Sequence, residues 1–414
     1  MSLPVPRPQP LGVLPWPAGM LLVPDVPGAG EVADALVTGR EPSEWPPGLE
    51  HVRLALAGDP QLAVASLEGD DVVARYNAAV LVGGDGVWEA LDAETDGELR
   101  ALVRVAAYSV GVIDEVPTAD GTTGEVAALV ESARASAAIE IGDVVTAVAL
   151  LGEAAQHAMD AGSPLFAASL RLTRADLMRE SLDDAASAAR EADLAIRSLP
   201  LTAPSDLRAE LQVARALSRQ MLAGTDRGAL LAVVADLTEA VKVLREDTHP
   251  EMFGVVNRQL ALAYLMMPMS EDGDRIRLGV AVTSLRAALR VFTPETHPVE
   301  WASTQLNLAN ALQYLPSVHQ ADNLDEAVQL YEEVLQHRDP RQDPLGVARV
   351  LTNQGNALGH LGAIEDARER LGRARELFAA YGDAEGVSTV DDLLAEVDEA
   401  DARQRQSDQR GSVS

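Results

Sequence analysis

The chain has 414 residues, no cysteine, and a formal net charge of −31 from 64 acidic against 33 basic side chains. The missing thiols exclude disulfides, thiolate zinc sites, cysteine-held iron–sulfur clusters and cysteine nucleophiles, and the negative charge repels phosphate backbones, so no nucleic-acid partner is expected. Apolar residues make up 47% and aromatics only 3%; such an Ala, Leu and Val composition suits close helix packing, and an all-α chain is expected.

In chain order, residues 1–27 carry Pro4, Pro6, Pro8 and Pro10 and read as an extended arm, with Gly19–Val23 pairing with or lying on the next region. From 28 to 116 the pattern is helical, over Glu31–Leu36, Leu49–Leu56, Gln61–Leu67, Asp71–Leu81 and Leu91–Val110, punctuated by Gly58-Asp59-Pro60, Gly69-Asp70 and Gly83-Gly84-Asp85-Gly86. This region is expected to form a helical N-terminal cap. Gly83–Gly86 reads as a turn, because no Lys-Ser/Thr follows and no βαβ pattern surrounds it. No window approaches the roughly 18 apolar residues of a membrane span, and no basic segment precedes an unbroken apolar run at the N-terminus. No membrane partner is expected, and the chain is expected in the cytoplasm.

Residues 117–383 repeat themselves. Thr248-His249-Pro250 returns as Thr296-His297-Pro298, 48 residues on, together with Leu260-Ala261 on Leu308-Ala309. A shift of 46 then lays Pro298 on Pro344, Ala302 on Ala348, Asn307 on Asn353, and Asn310-Ala311-Leu312 on Asn356-Ala357-Leu358. Each copy has a second half, in which Ala281, Leu285 and Ala288 match Ala327, Tyr331 and Val334 and, more loosely, Ala367, Leu371 and Ala374. Each unit is therefore a pair of helices, and pairs are expected to begin near 123, 164, 204, 250, 298 and 344. Ala and Gly sit where helix backbones come close and Leu308, Leu312, Leu330 and Leu335 fill the space between pairs, so no pair buries its apolar face alone. Residues 384–402 read as a capping helix, apolar at Val387, Val390, Leu393, Leu394 and Val397, and 403–414 as a disordered tail.

The segments Leu306–Leu312 and Asn353–Leu358, with Gly362–Ala367 before a second amphipathic helix, resemble the tetratricopeptide repeat family. These units are longer than its usual period of about 34 residues, and look most like the long-period variants of kinesin light chains and bacterial scaffold proteins, in which a His-Pro or Asp-Pro turn opens the first helix and a loop, here Leu315–Asn323, separates the pair. The resemblance implies a right-handed superhelical solenoid and a concave groove in which Asn307, Asn310, Asn353 and Asn356 hydrogen-bond the backbone of an extended peptide. An amide suits that task because it both donates and accepts; the competing reading is that these Asn tie one repeat to the next. Arg258, Gln305 and Arg349 are candidates to lend the groove polarity, and Trp301 is either an inter-repeat packing residue or an aromatic anchor for a partner. A carboxylate clamp departs from the pattern, since Leu306 stands where that variant has Lys.

His249 and His297 precede prolines at helix starts, where Thr or His can cap and Pro suits the first turn. Neither lies in a His-x-x-x-His or His-Glu-x-x-His spacing, so no metal or cofactor is expected. Glu271-Asp272-Gly273-Asp274 lacks the ligand series of a calcium loop and reads as a solvated inter-helix loop. The expected function is a non-catalytic scaffold or adaptor that holds a peptide or helix with a neutral or basic contact surface. The alternatives are an assembly or maturation helper for a multi-subunit enzyme, for instance of hydrogenase type, and a peptide-sensing regulator; neither partner identity nor oligomeric state is readable.

Overall fold

The computed structural model describes residues 3–268, 274–315 and 319–411, so most of the expected inter-helix loop at 271–274 and residues 316–318 of the loop expected at 315–323 lie outside the described residues. Among the described residues there are nineteen α-helices and one short 3-10 turn, and no strand. The chain is all-α, and it divides into two compact units, Met1–Leu222 and Ala223–Ser414.

The first unit holds α1 (Ala29–Val37), α2 (Glu50–Leu56), α3 (Pro60–Ala65), α4 (Val72–Val82), α5 (Val87–Glu94), α6 (Gly97–Ser109), α7 (Gly124–Glu140), α8 (Val144–Asp160), α9 (Pro164–Ser181), α10 (Ala185–Ser198) and most of α11 (Ser205–Ala223). Where one helix was expected over 91–110 there are two, because Thr95 turns its hydroxyl back to the Leu91 carbonyl at 2.7 Å and Gly97 takes φ +55°, a left-handed conformation that a running helix does not contain. The packed hairpins are α7 with α8 and α9 with α10, joined through α8 and α9. The largest core of this unit joins Tyr76, Leu102 and Val103 from α4 and α6 to Val126, Val130, Ala154 and Phe166 from the hairpins, and smaller clusters lie around α1 and α2 and around α9 and α10.

The proline-rich N-terminus belongs to that same core. Leu11, Leu21, Leu22 and Val23 are at most 1% exposed, although residues 3–28 contain only the 3-10 turn Ala18–Met20. A buried extended segment must satisfy its backbone N–H and C=O groups somewhere, and side-chain amides supply the partners. Asn77 accepts from the Leu22 N–H at 2.9 Å and donates to its carbonyl at 2.8 Å, while Gln9 treats Val23 in the same way at 2.8 and 3.2 Å. Arg7 closes the attachment with ion pairs to Glu98 at 2.9 Å and Glu125 at 2.7 Å.

The second unit holds α12 (Arg227–Ala240), α13 (Pro250–Met266), α14 (Asp274–Ala288), α15 (Pro298–Tyr314), α16 (Gln320–His337), α17 (Pro344–Leu361), α18 (Ile364–Ala380) and α19 (Ala384–Gly411). Each of these helices packs on its successor, and α13, α15, α17 and α19 also touch in turn as every second element. Ala261, Ala281, Ala288, Ala309 and Ala327 are completely buried, with Leu308, Leu312 and Val334 between them, so small residues mark the close backbone approaches and larger ones fill the layers. The last helix runs on to Gly411, through residues expected as tail; 412–414 lie outside the described residues.

Pro250, Pro298 and Pro344 are each the first residue of a helix, a position that needs no N–H donor and favours their fixed φ. Of the three residues before them only Asp343 caps through its side chain, accepting from the Gly346 N–H at 2.9 Å. His249 and His297 cap nothing with their rings; each Nδ1 instead lies 2.9 Å from the neighbouring Thr248 or Thr296 hydroxyl.

Candidate functional site

The three first helices of the second unit each leave one stripe incompletely covered. On α15 the stripe contains the half-buried Leu306, Asn307 and Asn310 and the exposed Tyr314, and on α17 the exposed Arg349 and the half-buried Asn353 and Asn356. On α13 the corresponding positions are Val255, Gln259, Leu262 and Met266, with Arg258 in the place of Leu306, so the one amide there, Gln259, stands where α15 has Asn307 and α17 has Asn353. Asn307, Asn310 and Tyr314, like Arg349, Asn353 and Asn356 and like Val255, Gln259, Leu262 and Met266, recur at intervals of three and four, the spacing that keeps side chains on one helix face. The four asparagines therefore stand on two stripes of adjacent helices.

Two of them meet. Asn353 Nδ2 donates to Asn310 Oδ1 at 3.1 Å, and the hydroxyl of Tyr331, from α16, donates to the same oxygen at 2.6 Å. Tyr331 is fully buried, and burial pushes its pKa far above the ordinary phenol value, so it stays a donor and holds the Asn310 oxygen toward the protein. The inter-repeat tie is thus real, and it turns the Asn310 nitrogen away from the bond. Asn307 and Asn356 make no hydrogen bond with other described side chains or backbone, which leaves both amides complete.

Three sequence candidates are spent on packing. Trp301 is 7% exposed and sits edge-on to the His337 ring with centroids 4.7 Å apart, so it is a core residue and not a reachable anchor. Gln305 is 4% exposed and donates to Glu333 at 2.5 Å, fastening α15 to α16. Arg258 lies with its guanidinium 5.9 Å from the centre of the Phe292 ring; burial lowers its pKa, with the Glu300 charge opposing. Trp301 and Gln305 do not line the amide stripe, and Arg258 stands on α13 at the position that Leu306 holds on α15.

Arg349 lines the amide stripe. Beside it, Asn353, Thr352, Asp383, Glu385 and Thr389 line a cleft of about 370 Å³ between α17 and the start of α19. The sequence pointed to none of the α19 contributors, because Asp383 reads simply as a helix-starting residue and does accept from the Gly386 N–H at 2.9 Å. Only the fold brings that start against α17.

In the first unit the equivalent surface is occupied by the chain itself. Residues 125–131 of α7 are all buried, which means that the helix is covered all round at its N-terminal half. Arg7 lies on Glu125 and the Thr123 carbonyl, Val13 packs with Leu165 and Leu211, and Gly12 has φ +71° with the Phe166 ring 2.4 Å from where a Cβ would stand. Among the described residues no group of three or more His, Asp or Glu is placed to hold a metal ion, and no helix is long and apolar enough to cross a membrane.

No protein-family model and no curated protein matches the chain. Among solved structures it is similar to the TPR2AB-domain:pHSP90 complex of yeast Sti1, at TM-score 0.26 and 15% identity, covering 66% of this chain and 98% of that one. It is also similar to a signal transduction ATPase with numerous domains (STAND) from Pyrococcus horikoshii that carries a tetratricopeptide repeat sensor, at TM-score 0.46 and 11% identity. The second match covers 90% of this chain, which spans 62% of the length of that protein. The hairpin architecture stands on the helix packing described above and not on either likeness.

Proposed function

We propose that the protein is a non-catalytic interaction scaffold, and that the amide stripes of α15 and α17 hold an extended peptide segment of a partner. The observation that carries this reading is the state of the four amides: Asn307 and Asn356 are complete, Asn310 offers a nitrogen whose direction Tyr331 sets, and Asn353 retains its oxygen. Donors and acceptors alternating along adjacent helices match the N–H and C=O groups of an extended backbone. Val255, Leu262 and Met266 on α13 supply apolar contact beside them. The net charge of −31 favours a segment that is neutral or basic.

The clean test uses Asn307 and Asn356, since neither side chain makes a hydrogen bond among the described residues. Peptides selected from a displayed library against the full chain are measured again with the double variant Asn307→Ala/Asn356→Ala. Loss of two hydrogen bonds worth about 1 kcal/mol each weakens binding by on the order of 10- to 30-fold with an unchanged melting temperature. Peptides that bind the double variant as tightly as the parent overturn the reading.

A further inference from the structure

The second unit carries another cleft, built from different residues. It has a volume of about 500 Å³ and lies among α16, α17 and α18. Its floor is apolar: Val347 and Leu351 are 6% and 1% exposed, and Leu335 and Leu377 stand beside them. Three guanidinium groups, from Arg338, Arg370 and Arg373, and two carboxylates, from Glu332 and Glu376, surround that floor.

The way α18 uses its other arginines shows what is left over. Arg368 pairs with Asp398 and Asp401, each at 2.8 Å, and Arg375 with Asp391 at 2.6 Å, all on α19. Arg370 reaches Glu332 on α16 at 3.3 Å, and that carboxylate also accepts from Gln354 at 3.1 Å; Arg338 is held by Asp343 at 2.7 Å. Arg373 alone of these is exposed and has no carboxylate or other hydrogen-bond partner among the described residues. It stands over an apolar floor without an ion pair, although Glu376, three residues on, lines the same cleft.

We infer that this cleft is a second docking site, for an acidic peptide segment that places an apolar side chain on the Leu335 and Leu377 floor and a carboxylate on Arg373. A planar guanidinium forms paired hydrogen bonds with a carboxylate, and a floor of this kind rewards burial of a leucine-sized group. The volume lies in the range of ligand pockets, roughly 300–1,000 Å³. An anionic membrane or a second copy of the chain would bring a broad negative surface against a molecule of charge −31, whereas a short segment presents only its own few carboxylates. The site does not involve the asparagine stripes and stands independently of the function proposed for them.

The probe is a short fluorescein-labelled peptide with capped ends in which leucines alternate with pairs of glutamates, titrated with the full chain and followed by anisotropy. Binding is expected, roughly tenfold weaker when the glutamates are replaced by glutamines and by a similar factor in Arg373→Glu. Arg373 is exposed and unbonded, so that variant folds, and circular dichroism checks it. Asn307→Ala/Asn356→Ala binds the probe like the parent. Equal affinity in Arg373→Glu, or equal affinity for a lysine version of the peptide, overturns the inference. So does a parent dimer that Arg373→Glu dissolves while the peptide fails to bind, or binding confined to anionic lipid vesicles.

Discussion

Tyr331 shows how one residue departs from its repeat to serve a neighbour. Its counterparts in the flanking copies are Leu285 and Leu371, both completely buried, so the ring satisfies the same packing while its hydroxyl reaches Asn310 at 2.6 Å. His51 is a second residue with a role set by its surroundings. It is 2% exposed, lies 3.3 Å from Asn77 Nδ2, and burial lowers its pKa against the opposing pull of the Gly48 and Leu22 carbonyls. A base whose pKa is depressed by folding stays neutral in the native state, while the unfolded chain takes up a proton near pH 6.5. His51 therefore contributes stability that is present above about pH 6.5 and is lost as pH falls from there toward its folded value. Urea midpoints measured at pH 7.5 and 5 should differ less in His51→Gln than in the parent; an unchanged difference contradicts this assignment.

Among the elements, the N-terminal segment behaves least like its local sequence. Alternating prolines preclude a helix and imply an extended arm with Gly19–Val23 lying on the next region, and the segment goes further, burying Leu11, Leu21, Leu22 and Val23 in the first unit. The attachment depends on Arg7, whose charge burial disfavours but Glu125 and Glu98 stabilise, raising its pKa above the ordinary value. Glu98 is 3% exposed and Glu125 1%. Arg7→Met leaves both carboxylates buried without their cation, a change that costs about 3–5 kcal/mol. Urea unfolding monitored by circular dichroism measures it; a loss below about 1 kcal/mol means that the ion pairs are incidental to the attachment. The same coverage explains why the open amide stripes belong to α15 and α17 and not to α7.

For the whole molecule, charge is the governing feature. Compaction brings 64 acidic side chains together against 33 basic ones, and many of the ion pairs that offset this, such as Arg286 with Glu326 and Arg290 with Glu246, lie between exposed groups. Exposed pairs contribute little each, so self-repulsion outweighs what they add. Raising sodium chloride from about 0.01 to 0.15 M shortens the screening length from roughly 30 to 8 Å, and the melting temperature is expected to rise across that range. A fall would show that the ion pairs dominate.

The repeat, the all-helical class and the small-residue contact positions could be read from the chain alone, because they are local or periodic properties. A proline at a helix start, an alanine every third or fourth place, and a unit returning after 48 and then 46 residues need no knowledge of what lies across the fold. The rotation of each helix against its neighbours could not be read in this way. One residue turns a helix by about 100°, so Gln305 and Asn307, two places apart, end on opposite duties: one bound to Glu333, the other facing outward. Tertiary structure alone decided that Trp301 is interior, that Asn310 and Asn353 are joined, and that Arg7 meets carboxylates 91 and 118 residues away. Pairings over such distances leave no periodic trace, since they arise only when packed helices bring remote side chains to one place.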